Sequence, residues 1–513
     1  MQRRDFLNDI AMYSAFCAGV PNAWRVTSRP TLADDPFTLG VGSGDPTSSG
    51  AIIWTRLAPK FLEPDGGMDG QRTAVNWEVA EDEQFARVVQ RGRATAAPEL
   101  GYSLHIDVPG LASDRWYFYR FTLPAGASPV GRVRTTPAAG AVTPFKFGVA
   151  SCQQYETGYF TAYDHLAREG QLDLVTHLGD YIYEYAGVDG RVRKYATTEI
   201  RTLDQYRARY AQTKSDKALQ AAHARAPWIV TWDDHEVDNN YAGSVGENGM
   251  ESEEQIRVRR AAGYQAWWEN QPVRVPRVRS WADLNITRTM QWGALAKFHV
   301  LDTRQYRSDQ PCADGNKEVP CGTWGSQEHT VLGQAQEQWL DSGLAASKAR
   351  WQVLAQQIRV APYDNKPGDG SAYSMDQWSG YPAAVDRLMK SIAQRAPNRT
   401  VALTGDIHSN WVNELRTRYD RPEAPKIGAE FVGTSITSGG DGSEVQQTWE
   451  ATKVGNPQCL WHNNHRGYVM HAVDPDGWRA SYRTVPFVSK PDAPVKTAAE
   501  FVVANGSPGI QKV

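Results

Sequence analysis

The sequence predicts an α/β protein, a layered core of central sheets flanked by helices, preceded by an N-terminal β-sandwich. Three observations lead there. Between residues 36 and 136, short segments with strand alternation are separated by Gly, Pro and Asp. From residue 145, apolar strands alternate with helix-length amphipathic segments, which is the α/β pattern. Four of those strands run directly into Asp, His, Cys or Tyr, at the strand ends where α/β sheets gather ligands.

The first 30 residues stand apart. Arg3-Arg4-Asp5-Phe6-Leu7 resembles a twin-arginine export signal, an address read by the export machinery and not an anchor. The stretch 10–20 is too short and too polar to span a bilayer, which takes about 20 apolar residues. Residues 1–30 are therefore read as an export signal outside the fold, and the protein as periplasmic or secreted without a stable membrane anchor. The 513 residues suffice for two to four domains of about 150 residues and a large core. A net charge of −3 gives no reason to expect nucleic acid or an anionic membrane surface as partner. Of five cysteines, Cys17 lies in the signal, and Cys312 and Cys321 flank a loop rich in Gly, Asn and Pro. In an exported protein that pair is expected as a disulfide. Cys152 and Cys459 are left unpaired or paired with each other.

The chain then divides as follows. Segments 51–56, 75–79 and 103–108 read as strands, and 111–121 resembles the corner before a late strand of a fibronectin-type sandwich. Residues 36–136 are thus expected to form a fibronectin/Ig-like β-sandwich. It clusters no metal-ligand types, so its role is structural or edge-binding. Pro137-Ala138-Ala139-Gly140-Ala141 marks a boundary. Beyond it, strands are predicted at 145–150, 172–178, 227–231, 296–301, 351–357, 399–403 and 430–434. Helices are predicted at 157–169, 199–222, 251–270, 334–347 and 383–395. The catalytic domain would span 144–488. Residues 489–513 carry no readable chemistry and are expected to be a C-terminal tail, a lid or disordered.

The chemistry sits at the strand ends. They read Ser151-Cys152-Gln153, Gly179-Asp180-Tyr181-Ile182-Tyr183-Glu184, Trp232-Asp233-Asp234-His235-Glu236 and Gly405-Asp406-Ile407-His408. One Gly-Asp turn after a strand is usually only a turn. Four such ends together demand a multinuclear cation site, because buried unpaired carboxylates are costly and crowded ones raise one another's pKa. Two histidines are too few for a zinc site built on imidazoles. The Asp side chains offer the hard oxygens that calcium takes. A thiolate and a phenolate suit a trivalent ion.

A Gly-Asp turn, a later Asn/Asp-His-Asp/Glu turn and a terminal Gly-x-x-His form the ligand order of the calcineurin-like metallophosphoesterases. The variants here resemble the alkaline phosphatase D (PhoD) family, as do Leu301-Asp302-Thr303-Arg304-Gln305-Tyr306-Arg307 and Phe431-Val432-Gly433-Thr434-Ser435-Ile436-Thr437-Ser438. The resemblance covers about residues 36–488 and the leader. It implies a layered metallophosphoesterase core holding one Fe3+ with Ca2+ beside it. Cys152 stands at its thiolate ligand, Asp180 at a bridging carboxylate and Tyr183 at the phenolate ligand of ferric iron. Asp234 replaces the wider superfamily's Asn, His235 matches its substrate-facing His, and Asp406 and His408 match the last metal-binding turn. The residues alone do not separate Tyr183 from Tyr181 and Tyr185. Nor do they decide whether Cys152 is a ligand, a buried apolar residue or the partner of Cys459. Asp233 and Glu236 are expected to stabilise the turn, and His177 to be a core histidine. Asn239 and Arg304 are candidates for substrate binding, with a surface salt bridge as the other reading of Arg304. His462 and His465 are candidate pocket residues.

The function expected is an exported alkaline phosphatase D-like enzyme. Its substrates are phosphate monoesters, diesters or both, attacked by a metal-activated hydroxide. His235 would protonate the leaving oxygen or hold the phosphoryl group. Two alternatives stand beside it. One is a phospholipase D-like phosphodiesterase acting on lipid headgroups, to which a rim of Trp267, Trp268, Trp411 and Trp461 would be suited. The other is a non-enzymatic metal-binding or adhesion protein.

Overall fold

Strands buried on both faces must read as continuous apolar runs, and those of the central sheet do. In the computed structural model, which describes residues 34–513 except 64, 248, 447 and 508, β9 (Phe145–Ala150), β10 (Leu174–His177) and β11 (Trp228–Val230) pair in parallel. The export motif and Cys17 lie outside the described residues. β1 (Val41–Thr47) continues this sheet on one side through the pair Gly44 and Trp228. β2 (Gly50–Arg56) and β5 (Ser103–Val108) follow, antiparallel. Gly44 is required there, because a Cβ would lie 2.1 Å from the Pro272 carbonyl oxygen. On the other side come β21 (Cys459–Val473), β22 (Gly477–Val485), β23 (Lys496–Ala504) and β24 (Gln511–Lys512).

A second sheet runs β12 (Arg288–Trp292), β13 (Ala296–Val300), β15 (Trp351–Ala355), β17 (Thr400–Thr404), β19 (Lys426–Val432) and β18 (Asn410–Arg416), parallel from β13 to β19. β21 belongs to both sheets. Its first residues pair with β18, its last with β9 and β22. The change of partner passes Gly467, where a Cβ would meet the Arg483 carbonyl oxygen at 1.9 Å.

The sheets pack face to face. Phe145, Phe147, Val149, Leu174 and Ile229 meet Phe298, Val300, Val353, Val401 and Phe431 in one core. On the outer face of the first sheet, Val175, Trp228 and Val230 pack against the helices Thr161–Ala167, Leu203–Lys214, Lys217–Arg225 and Glu253–Asn270. On the outer face of the second, Leu354 and Ala402 pack against Gly333–Ala346 and Pro382–Arg395. The result is four layers, helix, sheet, sheet, helix. Capping residues set the helix starts. Ser252 and Gln255 form a capping box, and Pro382 occupies a first-turn position that needs no N–H.

Three expectations change. The helix expected at 199–222 is two helices, because Asp216 takes the backbone N–H groups of Ala218 and Leu219 at 2.9 and 3.2 Å and starts a new one. The sandwich at 36–136 is present, with a second sheet of β3 (Thr73–Ala80), β4 (Val88–Ala96), β6 (Trp116–Leu123), β7 (Gly126–Ala127) and β8 (Gly131–Arg134). Its corner is held by the Tyr117 hydroxyl, which accepts the Ala112 N–H at 2.9 Å. Its other sheet, β5-β2-β1, is part of the central sheet, so the linker at 137–141 is a boundary in sequence and not in space. Finally, 489–513 is no tail. β23 pairs with β22 along most of its length and buries Ala499, Phe501 and Val503. No helix of the described residues is long and apolar enough to cross a membrane.

Candidate metal centre

The parallel strands β9, β10, β11 and β17 end at the same edge, and the turns after β9, β10 and β17 have an unusual backbone. Cys152, Asp180, Asp406 and His408 all adopt positive φ, at 58°, 55°, 63° and 54°. For residues other than Gly this region is sparsely populated and persists only when neighbours impose it. Here the neighbours are visible. Cys152 donates its N–H to Gly179 O at 3.1 Å, and Gln153 donates to Asp180 O at 3.0 Å. Glu236 accepts the N–H groups of Asp180, Tyr181 and Asp233 at 3.1, 2.5 and 2.7 Å, tying the second turn to the third. Gly179 makes this approach possible, since a Cβ there would lie 2.4 Å from the Asp233 nitrogen.

These turns bring the donors together in three overlapping sets. Cys152, Asp180 and His408 form one, Asp180, Asp234 and His235 the second, and Asp233, Asp234 and Asp406 the third, each within 4.8 Å of one another. Asp180 is shared by the first two and Asp234 by the last two. Tyr183 joins the first. Its hydroxyl lies 2.9 Å from Asp180 Oδ2 and 3.2 Å from His408 Nε2. Tyr181 points away, with its hydroxyl 2.8 Å from His223 Nε2, and Tyr185 is 37% exposed beside His235. Cys152 and Cys459 are both buried and free, while Cys312 and Cys321 form a disulfide with Cα atoms 5.9 Å apart.

The electrostatics call for cations. Burial pushes the carboxyls of Asp180 and Asp233 well up and that of Asp406 to about 6. Burial also raises the Cys152 thiol and the Tyr183 phenol, with Asp180 adding to both. Asp180 Oδ1, Asp233 Oδ2 and Asp234 Oδ1 are buried without a hydrogen-bond partner. Orphaned carboxylate oxygens aimed into one row are what a row of cations would satisfy. The donor set, with a thiol, a phenol, carboxylates and one imidazole, fits a mixed-metal site. Burial and the nearby Arg466 and His235 bring His408 down to about 3, so it is neutral and its lone pair is available to a metal.

His235 has the opposite environment. Burial disfavours its charge, but Glu184, Asp234 and Asp180 outweigh that and hold it protonated. Its Nδ1 lies 2.7 Å from Glu184 Oε2, and Glu184 Oε1 takes the Asn239 N–H at 2.9 Å. The His235 side adjoins a cavity of about 190 Å³ lined by Glu184, Tyr185, Asp238 and Glu247.

Arg304 departs from both of its expected roles. Its side chain has no exposed surface, and its guanidinium reaches Asp233, Asp376 (2.7 Å), Asp406 (3.0 Å) and Asp234 (3.5 Å). It is a buried counter-cation beneath the carboxylate row. It is neither a phosphate clamp nor a surface salt bridge. Asn239 lies at the rim, its amide spent on Glu247 at 2.6 Å. His177 is buried against Trp228, but its Nε2 has no partner. His462 contacts the Asn410 carbonyl and Trp411, and His465 pairs with Glu444, so neither faces the donor row. The expected tryptophan rim is absent. Trp267, Trp268 and Trp411 are buried and Trp461 packs on Tyr482.

Four residues of the site escaped the sequence reading. Glu184 was legible as the last letter of its turn. Asp376 and Gln377, which hold Arg304 and the Asp406 carboxylate, follow the short strand Ser371–Ser374, which is not among the strands predicted from the sequence. Ser438 lies in a quoted motif but gave no hint of its contact.

Two packed sheets with helices outside, carrying acidic, thiol and imidazole donors on their strand ends, define a metallophosphoesterase. A purple acid phosphatase from yellow lupin (Lupinus luteus) shares this fold with a TM-score of 0.54 over 91% of this chain and 73% of that one, at 13% identity. Within that class, the chain belongs to the PhoD-like phosphatase family, whose model matches residues 147–482, with the family's N-terminal domain matching 23–137. It is 45% identical over 522 residues to alkaline phosphatase D of Bacillus subtilis (strain 168), covering 100% of this chain and 89% of that protein. The solved structure of PhoD superposes with a TM-score of 0.92 at 47% identity, over 94% of this chain and 93% of that one.

Proposed function

We propose that this phosphoesterase is an exported, alkaline phosphatase D-like hydrolase working on a row of cations. Cys152, Asp180, Tyr183 and His408 would hold Fe3+, and Asp180, Asp234 and Asp406 would hold Ca2+. The observation that carries this reading is the three donor sets linked through Asp180 and Asp234. The cations supply positive charge for the phosphoryl oxygens and a lowered pKa for the attacking water. The chain's own contribution is position. Glu184 holds Nδ1 of His235, leaving Nε2 to donate to the leaving oxygen or a phosphoryl oxygen. Arg304 keeps the carboxylate row compact from below. No protein nucleophile is needed for a loose, charge-rich transferred group. Arg3-Arg4-Asp5-Phe6-Leu7 supports export through the twin-arginine pathway. The phospholipase D-like alternative is not favoured, as Trp267, Trp268 and Trp411 of its tryptophan rim are buried and Trp461 packs on Tyr482.

Hydrolysis of bis-nitrophenyl phosphate beside the mono-ester, with and without a calcium chelator, tests the reading. Activity should vanish on chelation, return with Ca2+, and be lost in His235→Ala. Metal-loaded His235→Ala with full activity would overturn the role of His235. No activity and no bound metal in folded protein would overturn the site.

A further inference from the structure

We propose that Ser438 tunes the Tyr183 ligand by donating a hydrogen bond from its hydroxyl to the Tyr183 oxygen. This rests on the proposed ligation of a ferric ion by Tyr183. Ser438 is fully buried, and its Oγ lies 2.6 Å from the Tyr183 hydroxyl oxygen. It also lies 2.7 Å from Cys152 O, and it accepts the Gln154 N–H at 3.1 Å. A hydroxyl has one proton to give. Cys152 O has other donors, the N–H groups of Ser438 and Thr437 at 3.3 and 3.4 Å. The nitrogen beside the Tyr183 oxygen, His408 Nε2 at 3.2 Å, is itself a proposed ligand, and the phenol's own proton is turned to Asp180 Oδ2. Ser438 is the nearer hydroxyl donor at 2.6 Å, and a hydrogen bond to a phenolate held by the proposed ion would be roughly twice as strong as a neutral one. The Ser438 proton therefore turns to Tyr183.

The segment is built to hold that hydroxyl still. Arg466 Nη1 donates to Ser435 Oγ and Ser438 O at 2.8 and 2.9 Å, and to His408 O. Ser435 Oγ donates to Ser438 O at 2.6 Å. Thr437 Oγ1 donates to Gln154 O at 2.8 Å, and Thr157 Oγ1 donates to Thr437 O at 2.9 Å. Residues 434–438 are thus clamped against the turn that carries Cys152 and against the backbone of His408. One short segment touches three proposed ligands, and Ser438 is its contact to a ligand atom. Donation to the oxygen lowers the energy of its donor electrons. It thereby sets where the phenolate-to-iron charge-transfer band falls, and by favouring the phenolate over the phenol it sets how readily a proton displaces the ion.

The test loads the full chain with ferric iron, verifies iron content, and records the visible spectrum together with iron loss to a competing chelator. The wild type should show the charge-transfer band, and Tyr183→Phe should lack it. Ser438→Ala should move the band to longer wavelength and release iron about 10- to 100-fold more readily. Ser438→Thr, which keeps the hydroxyl, should restore both. If Ser438→Ala does not accumulate as folded protein, Ser438→Cys, a weaker donor of similar size, should shift the band in the same direction by less. An unmoved band with unchanged iron retention in the Ser438 variants overturns the inference and leaves Tyr183 as a ligand. A Tyr183→Phe spectrum equal to that of wild type overturns the ligation itself.

Discussion

Replacing Arg304 by Met should strip the carboxylate row of a fully buried counter-charge at little change in volume. The partners decide the size of the effect. Asp376 would keep Arg307 at 2.9 Å, Asp406 would keep the Gln377 amide at 2.5 Å, and Asp234 would keep the Asn240 N–H at 2.7 Å. Asp233 would keep no side-chain partner, since its Oδ1 faces Arg304 and its Oδ2 already has none. The loss is therefore close to that of orphaning one buried carboxylate, about 3–5 kcal/mol. Burial pushes the Asp233 carboxyl up strongly even beside Arg304, so without it the group protonates more readily and the loss shrinks at low pH. Urea unfolding of chelator-treated protein at pH 8 and pH 5 measures both. Arg304→Met/Asp233→Leu should recover most of the loss, and saturating cations should recover part of it. A loss under about 1 kcal/mol at pH 8, or a double variant no more stable than the single one, would refute the account of Arg304 as counter-cation.

Three further outcomes are expected. In metal-free protein, burial raises Glu236 to about 7 and Asp406 to about 6, both above their unfolded values, so the folded state holds these protons more tightly. The contribution of these two carboxyls is greatest below the ordinary carboxylate range and falls as pH rises toward about 7, by about 3 kcal/mol for each group, against the opposite slope of buried histidines such as His408, and bound cations should flatten it. Metal-free Glu236→Gln, which cannot titrate there, should lose that group's part of the fall, and a melting profile against pH unchanged from wild type would contradict this. Glu184→Gln should leave metal content and KM nearly unchanged while lowering kcat about tenfold or more, since the positioned His235 acid is worth about 10²–10⁴. An unchanged kcat would remove Glu184 from the mechanism. Lys214 is buried over Trp54 at 4.3 Å and Tyr181 at 5.0 Å, with no carboxylate beside it among the described residues, and burial pushes its pKa well down. Lys214→Met should raise stability at pH 7 by about 1–3 kcal/mol, read by urea unfolding, and a destabilised variant would contradict the reading.

The sequence by itself determined the parallel strands that carry the site and the chemistry at their ends. That information is local. An apolar run of strand length followed by Gly-Asp or Asp-Asp-His can only be a buried strand that stops at a polar site, whatever surrounds it. Asp180, Asp234, His235, Asp406 and His408 were legible for this reason, Cys152 was singled out only by the family resemblance, and the structure brings them together in overlapping sets. Tertiary structure decided what depends on partners far along the chain. Tyr181, Tyr183 and Tyr185 share one spacing, so only the packing of the turn sends Tyr183 to Asp180 and Tyr181 to His223. Arg304 reads as a surface residue until carboxylates 71 and 102 positions away surround it, because a buried charge is tolerable only where its counter-charges arrive. The junction of the sandwich with the central sheet rests on a pairing of Gly44 with Trp228, and β23 belongs to the sheet because β22 offers it an edge. Strand pairing is non-local, so no window of sequence contains it. Ser438 carries no signal of its own, since a serine becomes a ligand-tuning donor only where the fold sets its hydroxyl against a phenol oxygen.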